Sequence, residues 1–262
     1  VQASFGAFAA LRRDGRVVTW GKDEEGGDCT AVAEQLQDVW QLSSSRGAFA
    51  AIRKDGSVVT WGSHLAGGHS ATVQAQLKDV TEIQGSDFAF AAILKNGSVV
   101  TWGDEWGGGD SRHVQAQLTD VRQVVPGFRA FAAVLGTGGV VSWGDWLSGG
   151  ESTGVQEQLQ DVRKVTASSC AFAALLGNGR VVTWGDPFSG GDARMVQGQL
   201  QDVQDLVGSS SAFAALLASG QVVTWGDPQQ GGDSRPVQHQ LKNVQQVQAS
   251  CSAFAALLGD GR

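Results

Sequence analysis

The sequence predicts an all-β protein, a β-propeller of four-stranded blades, and three observations predict it. The pentapeptide Val-Val-Thr-Trp-Gly recurs at Val17–Gly21, Val58–Gly62, Val99–Gly103, Val181–Gly185 and Val222–Gly226, with Ser142 replacing Thr in Val140–Gly144. Its tryptophans, Trp20, Trp61, Trp102, Trp143, Trp184 and Trp225, are each 41 residues apart. A constant period of that size means one supersecondary unit copied in tandem. The second observation is a composition rich in Gly (37 of 262 residues) and in Val, Thr, Phe and Trp, which suits strands joined by tight turns. The third is that no stretch keeps a helical period over the 11 or so residues a helix needs.

The elements follow from one repeat, residues 80–120. Val80–Gly85 alternates apolar and polar residues and reads as a strand, a. Ala89–Leu94 is an apolar strand, b. In Lys95-Asn96-Gly97, Asn-Gly supplies the positive φ angles of a tight hairpin, and Asp14-Gly15, Asp55-Gly56, Asn178-Gly179 and Asp260-Gly261 repeat it. Strand c is Ser98–Trp102, followed by a loop with Gly107-Gly108-Gly109. Val114–Leu118 alternates again and reads as strand d, before Leu118–Val121 turns into the next a. The Val pairs and Trp of strand c suit a sheet buried on both faces between neighbouring blades. A Trp buries roughly 200 Å², worth at most about 5 kcal/mol by area, so the six tryptophans read as structural core. The Ala-rich strand b fits where blades crowd toward an axis.

Val1–Arg16 matches Val247–Arg262 in register, so the chain holds six periods plus 16 residues. We read residues 1–262 as one propeller domain of six full repeats and a partial one, a segment of a longer chain. Seven copies of a and b against six of c and d favour seven blades, with six as the alternative.

Composition and motifs bound the function. A net charge of −7 disfavours nucleic acid as a partner, and Arg12-Arg13 and Arg53-Lys54 read as solvated turn charges. No apolar run approaches the ~20 residues of a membrane span, so direct membrane insertion is not expected. Cys29, Cys170 and Cys251 show no framework or zinc spacing, and free thiols favour a reducing intracellular compartment. His64, His69, His113 and His239 do not make up the three or four ligands of a metal site. Asp104 with Asp110, and Asp186 with Asp192, are paired carboxylates that suit Ca²⁺, but Asp in a tight Gly loop more often caps its own backbone. No nucleophile elbow, phosphate loop or dinucleotide fingerprint occurs, so neither an enzyme nor a cofactor is expected.

The order of strand b, Asp/Asn-Gly turn, Val-Val-x-Trp-Gly and Gly-rich loop resembles the regulator of chromosome condensation repeat. The resemblance covers the whole chain and implies a seven-bladed propeller. That family includes a nucleotide exchange factor for a small GTPase, a plant ultraviolet-B photoreceptor, propellers of HECT-type ubiquitin ligases and a bacterial β-lactamase inhibitor. In its short, insertion-free period the chain is most similar to the bacterial inhibitor and to HECT-ligase-like tandem-repeat proteins of dinoflagellate algae. It departs from the family's Gly-Gly-x-x-His before strand b, having for example Ala167-Ser168-Ser169-Cys170. The photoreceptor's Gly-Trp-Arg-His-Thr motifs, the exchange factor's protruding insertion and a HECT domain do not occur in these residues, so the resemblance does not carry over those activities.

Comparing the repeats within the chain separates fixed positions from free ones. The b–c turns and the Leu-x-Asp/Asn-Val corners vary little. The a–b turns and the loops after c vary strongly, and in an antiparallel blade both emerge at one end. The face so formed would carry Phe5, Arg46, Leu65, Phe88, Trp106, Phe128, Arg129, Trp146, Leu147 and Phe188, with Asp87 and Glu105 among them. Aromatics and Arg on loops held by a rigid scaffold are what protein-binding hot spots are made of. The alternative is that these side chains fold back over the blade ends, or that the loops have drifted. The expected function is a non-enzymatic scaffold or interaction module that binds another protein or larger assembly, for example as an accessory subunit. The second reading is a regulatory propeller, either a GTPase exchange factor or the substrate-recognition part of a ubiquitin ligase.

Overall fold

The computed structural model describes residues 1–261. They form seven antiparallel sheets in chain order, six of three strands and the last of two. The chain is a β-propeller. In the third blade, strands a, b and c are Val80–Gly85, Ala89–Leu94 and Val99–Gly103. In the fourth they are Val121–Pro126, Ala130–Leu135 and Val140–Gly144. The seventh holds Val244–Ala249 and Phe254–Leu258, so the described residues make seven blades, with only an a–b pair in the last. Each core cluster joins two successive blades, and among the described residues none joins the seventh to the first.

Strand d does not form, which corrects the four-stranded expectation. Val114–Leu118 instead holds a single 3-10 turn, Gln115–Gln117. The pattern Val-Gln-Ala-Gln-Leu is ambiguous. Read at period two it is a strand, but Val114 and Leu118 also stand four apart, on one side of a helical turn. The second arrangement wins because it buries Leu118 completely and leaves Ala116 in solvent.

The outer edge of strand c is then protected by a side chain rather than by a strand. Gln115 Nε2 donates to the Val99 carbonyl at 2.9 Å, and its Oε1 accepts from Ser111 Oγ at 2.8 Å. Gln74, Gln156, Gln197 and Gln238 make the same bond to Val58, Val140, Val181 and Val222. Replacing Gln115 by Ala is expected to destabilise by about 1 kcal/mol, through the lost bond and the stranded carbonyl. Gln117→Ala, on an exposed residue of the same turn, is expected to stay within about 0.5 kcal/mol. Urea titrations of the two variants check this, and equal effects would contradict the capping role.

The hairpin turns differ from expectation in one detail. Only the glycine takes a positive φ (Gly97, 79°), in a three-residue loop of the type I plus left-handed kind. Asn96 instead accepts from the backbone N–H and hydroxyl of Ser98 at 3.0 and 2.7 Å. The left-handed non-glycine residues sit at the corners before strand a: Asp38, Asp79, Asp120, Asp161, Asp202 and Asn243. Asp and Asn are the residue types that tolerate that conformation.

Blades pack small residues against large ones. Strand b is the middle strand and is covered on both faces, so its residues read as a continuous apolar run. Between blades three and four, Ala89, Ala91 and Val99 of one sheet meet Phe131, Ala133, Val141 and Trp143 of the next. Phe131 and Trp143 stack at 5.3 Å between centroids, and both are fully buried. The alanines of strand b are therefore the surface that receives a neighbour's aromatic pair.

A loop glycine completes each interface. Gly108, left-handed at φ 97°, lies so close over Phe131 that a Cβ there would fall 2.6 Å from Cδ2 of the ring. Its carbonyl accepts from Trp143 Nε1 at 3.0 Å. The same bond ties Trp61 to Gly26, Trp102 to Gly67, Trp184 to Gly149 and Trp225 to Gly190. Trp20 is the exception: it stacks on Phe8 but is 47% exposed, since no blade precedes its own among the described residues.

Candidate functional site

Both variable loops of each blade lie side by side, and the a–b turn holds the loop after c. Ser45, Ser86, Ser168 and Ser209 each donate a side-chain hydroxyl to a carbonyl in the loop after c of the same blade, at Ala66, Gly107, Ser189 and Gln230, over 2.7–3.0 Å. The backbone N–H at the start of each such loop donates to the turn, for example Asp104 to Phe88 at 3.0 Å. The two loops thus form one continuous face, with an inner rim of turns and an outer rim of loops.

The inner rim is knitted across blades by the backbone. Phe5 N–H donates to Arg46 C=O, Arg46 to Asp87, Asp87 to Phe128, Phe128 to Ser169, Ser169 to Ser210 and Ser210 to Cys251, over 2.7–3.2 Å. Side chains add to it. The Arg46 guanidinium lies 5.0 Å over the Phe5 ring, and Arg129 lies 4.9 Å over Phe88. Phe88 meets Phe128 edge to face at 5.5 Å. Arg129 pairs with Asp104 at 3.2 Å, and Arg46 stands 3.8 Å from Asp87. Phe88, Phe128 and Arg129 are therefore half-buried and engaged with one another. Burial pushes the Asp87 carboxyl above its ordinary pKa, and the nearby Arg46 charge only partly opposes this.

The outer rim is different. Leu65, Trp106, Trp146, Leu147 and Phe188 are 56–84% exposed, and Phe5 on the inner rim is 72% exposed. Leu65 and Phe188 ride on single 3-10 turns, His64–Ala66 and Pro187–Ser189, and Trp146 and Leu147 share another, Trp146–Ser148. Trp106 sits in the wider turn Glu105–Gly109. A left-handed glycine ends each 3-10 turn. Aspartates cap three of the loops: the Asp104 carboxylate accepts from Gly107 N–H, that of Asp186 from Ser189 N–H and that of Asp227 from Gln229 N–H. The carboxylates considered for calcium are thus tied to their own backbone. Asp110 and Asp192 accept from Arg112 and Arg194, and the Arg112 hydrogen bonds hold Asp110 down to a pKa of about 2. No cluster of three metal-ligating side chains exists among the described residues.

Strand a ends and a–b turns line concavities of about 420 and 530 Å³ toward the axis. Their walls are mostly Ser, Gly, Ala and Pro, and Asp87 and Arg46 are the charged groups there. His64 and His69 stack at 4.8 Å in one outer loop, whereas His113 and His239 belong to other repeats. The thiols of Cys29, Cys170 and Cys251 are free, and burial pushes Cys170 up. Sequence reading missed the rim ladder and the serines under it. The serines left a signal, since Ser4, Ser45, Ser86, Ser168, Ser209 and Ser250 keep the repeat register. The ladder is made by backbone and left none.

No protein-family model and no curated protein sequence matches the chain. Solved structures match its fold, and they are propellers of tandem blades. Human WBSCR16 aligns with a TM-score of 0.51 at 17% identity, over 85% of this chain and 74% of that one. Prp20p from Saccharomyces cerevisiae, described with its binding to Gsp1p and histones, gives 0.52 at 16%, over 85% and 70%. The same yeast protein, RCC1, is also known bound to Kap60. The ectodomain of the receptor kinase CR4 from Physcomitrella patens gives 0.52 at 18%, over 86% of this chain and 60% of that one. At these identities the likeness is one of fold: the chain is similar to the propellers of yeast RCC1 and WBSCR16.

Proposed function

We propose that this propeller is a non-enzymatic protein-interaction module that binds a partner protein through the face made by its a–b turns and its loops after c, as a scaffold or accessory subunit of a larger assembly. The observation that carries this reading is the set of exposed apolar tips, Leu65, Trp106, Trp146, Leu147 and Phe188, on short turns fixed by glycine, aspartate and serine. Large apolar side chains on an ordered loop lose little freedom when covered, which is the economy of a hot spot. The half-buried Phe88, Phe128 and Arg129 then brace the loop that carries Trp106, through the Arg129–Asp104 pair. Of the residues expected on this face, Phe5 and Arg46 belong to the contact surface at the inner rim.

A second reading, a regulatory propeller, is favoured by the binding of Gsp1p, histones and Kap60 by the yeast protein of similar fold. It requires an exchange wedge or a ligase domain outside these residues.

A pull-down from native extract tests the lead reading. Wild type is compared with the triple variant Trp106→Ala, Trp146→Ala, Phe188→Ala, all surface changes expected to leave the fold intact. A stoichiometric protein held by wild type and lost by the folded variant supports the reading. A partner retained equally by both sinks it.

A further inference from the structure

The charge of the chain is segregated. The loops after strand c, residues 21–31, 62–72, 103–113, 144–154, 185–195 and 226–236, hold 13 of the 26 acidic residues and only 4 of the 19 basic ones, a net charge of −9. The a–b turns add Arg46, Asp87 and Arg129, so the face stands at −8 and the remainder of the molecule at +1, against −7 overall. Several of the loop acids are paired, with their own neighbours or, for Asp104, with Arg129, but Asp23, Glu24 and Glu105 lie exposed beyond those pairs.

The apolar tips are laid out on the same loops in register. Leu65, Trp106, Leu147 and Phe188 occupy one position of the repeat, one per blade from the second to the fifth. In the first and sixth blades that position is Glu24 and Gln229. The residue that opens each loop is Asp104, Asp145, Asp186 or Asp227 in blades three to six. The outer rim is therefore an arc in which apolar tips alternate with carboxylates and which ends in polar residues on both sides.

Resting on the function proposed above, we infer that the occupant of this arc is a cationic amphipathic segment of a partner protein, with apolar residues interleaved with Lys or Arg. Apolar contact with the tips supplies the holding energy. The carboxylates between them select basic partners, speed encounter at low salt and repel acidic ones. A phosphate backbone would meet a like-charged surface, as would an anionic membrane.

The test uses three fluorescein-labelled peptides on the intact chain: an amphipathic Leu/Lys peptide, its Leu/Glu counterpart and a polylysine of equal length. The Leu/Lys peptide is expected to bind saturably at one per chain, at least about tenfold tighter than polylysine, with no binding of Leu/Glu. Leu147→Ser with Phe188→Ser, and separately Glu105→Lys with Asp145→Lys, should each weaken it about tenfold, while Lys95→Glu on the opposite face should not. Binding of polylysine as tight as Leu/Lys, binding of Leu/Glu, or indifference to either pair of substitutions would overturn the inference. A native partner that binds through the tips by an acidic or neutral surface would overturn it too, and would leave the interaction reading itself standing.

Discussion

Gly108→Ala is expected to destabilise the propeller by about 3 kcal/mol or more, although it adds a single methyl group. Two costs combine. At φ 97° an alanine is held in left-handed backbone, which costs roughly 1–2 kcal/mol. The new Cβ would also lie 2.6 Å from Cδ2 of the fully buried Phe131, and relieving such an overlap in a packed core costs about 1–3 kcal/mol. Any shift that relieves it pulls the Gly108 carbonyl from Trp143 Nε1. Gly154→Ala is the matched control, with nothing within 4 Å of the added Cβ, and should stay within about 0.5 kcal/mol. Urea midpoints compare the two, and a Gly108→Ala variant as stable as Gly154→Ala would refute the Gly–Phe–Trp lock.

Phe131→Ala should cost about 3–5 kcal/mol, the range for emptying a large aromatic from a core that cannot collapse. Its ring is fully buried and stacked on Trp143. Phe8 offers an internal comparison. It occupies the same strand position and stacks on Trp20 at the same 5.3 Å, yet it is 45% exposed. Phe8→Ala should therefore cost only about 1 kcal/mol, because little surface is returned to water. In a tandem array each blade touches only its neighbours, so the Phe131 defect should loosen blades three and four first. Amide exchange would show this as lost protection in Ala89–Leu94 and Ala130–Leu135. Equal costs for the two phenylalanines would mean that stacking within a blade, rather than cover by the preceding one, holds the ring.

Much of this was legible in the sequence because a repeat states its own register. The 41-residue spacing of Trp, the Asp/Asn-Gly turns and the alternation in Val80–Gly85 are local signals, and they placed strands a, b and c to within a residue. The variable loops were legible as well, because positions that the fold does not constrain differ between copies. Val114–Leu118 was misread because five residues with apolar ends satisfy two periodicities, and the choice depends on what Leu118 can bury against.

By itself, then, the sequence determined the 41-residue period, the order of strands a, b and c within it and the end of the blade at which variability collects, and it favoured seven blades over six. Only tertiary structure decided that Gln115 rather than a strand closes the edge, that Gly108 roofs Phe131, and that Phe88 and Arg129 are tied together while Trp106 and Phe188 stand free. The reason is physical. Hairpins and strands follow from local sterics and patterning, whereas each of those contacts is made with another blade or across a loop, at separations where no local propensity operates.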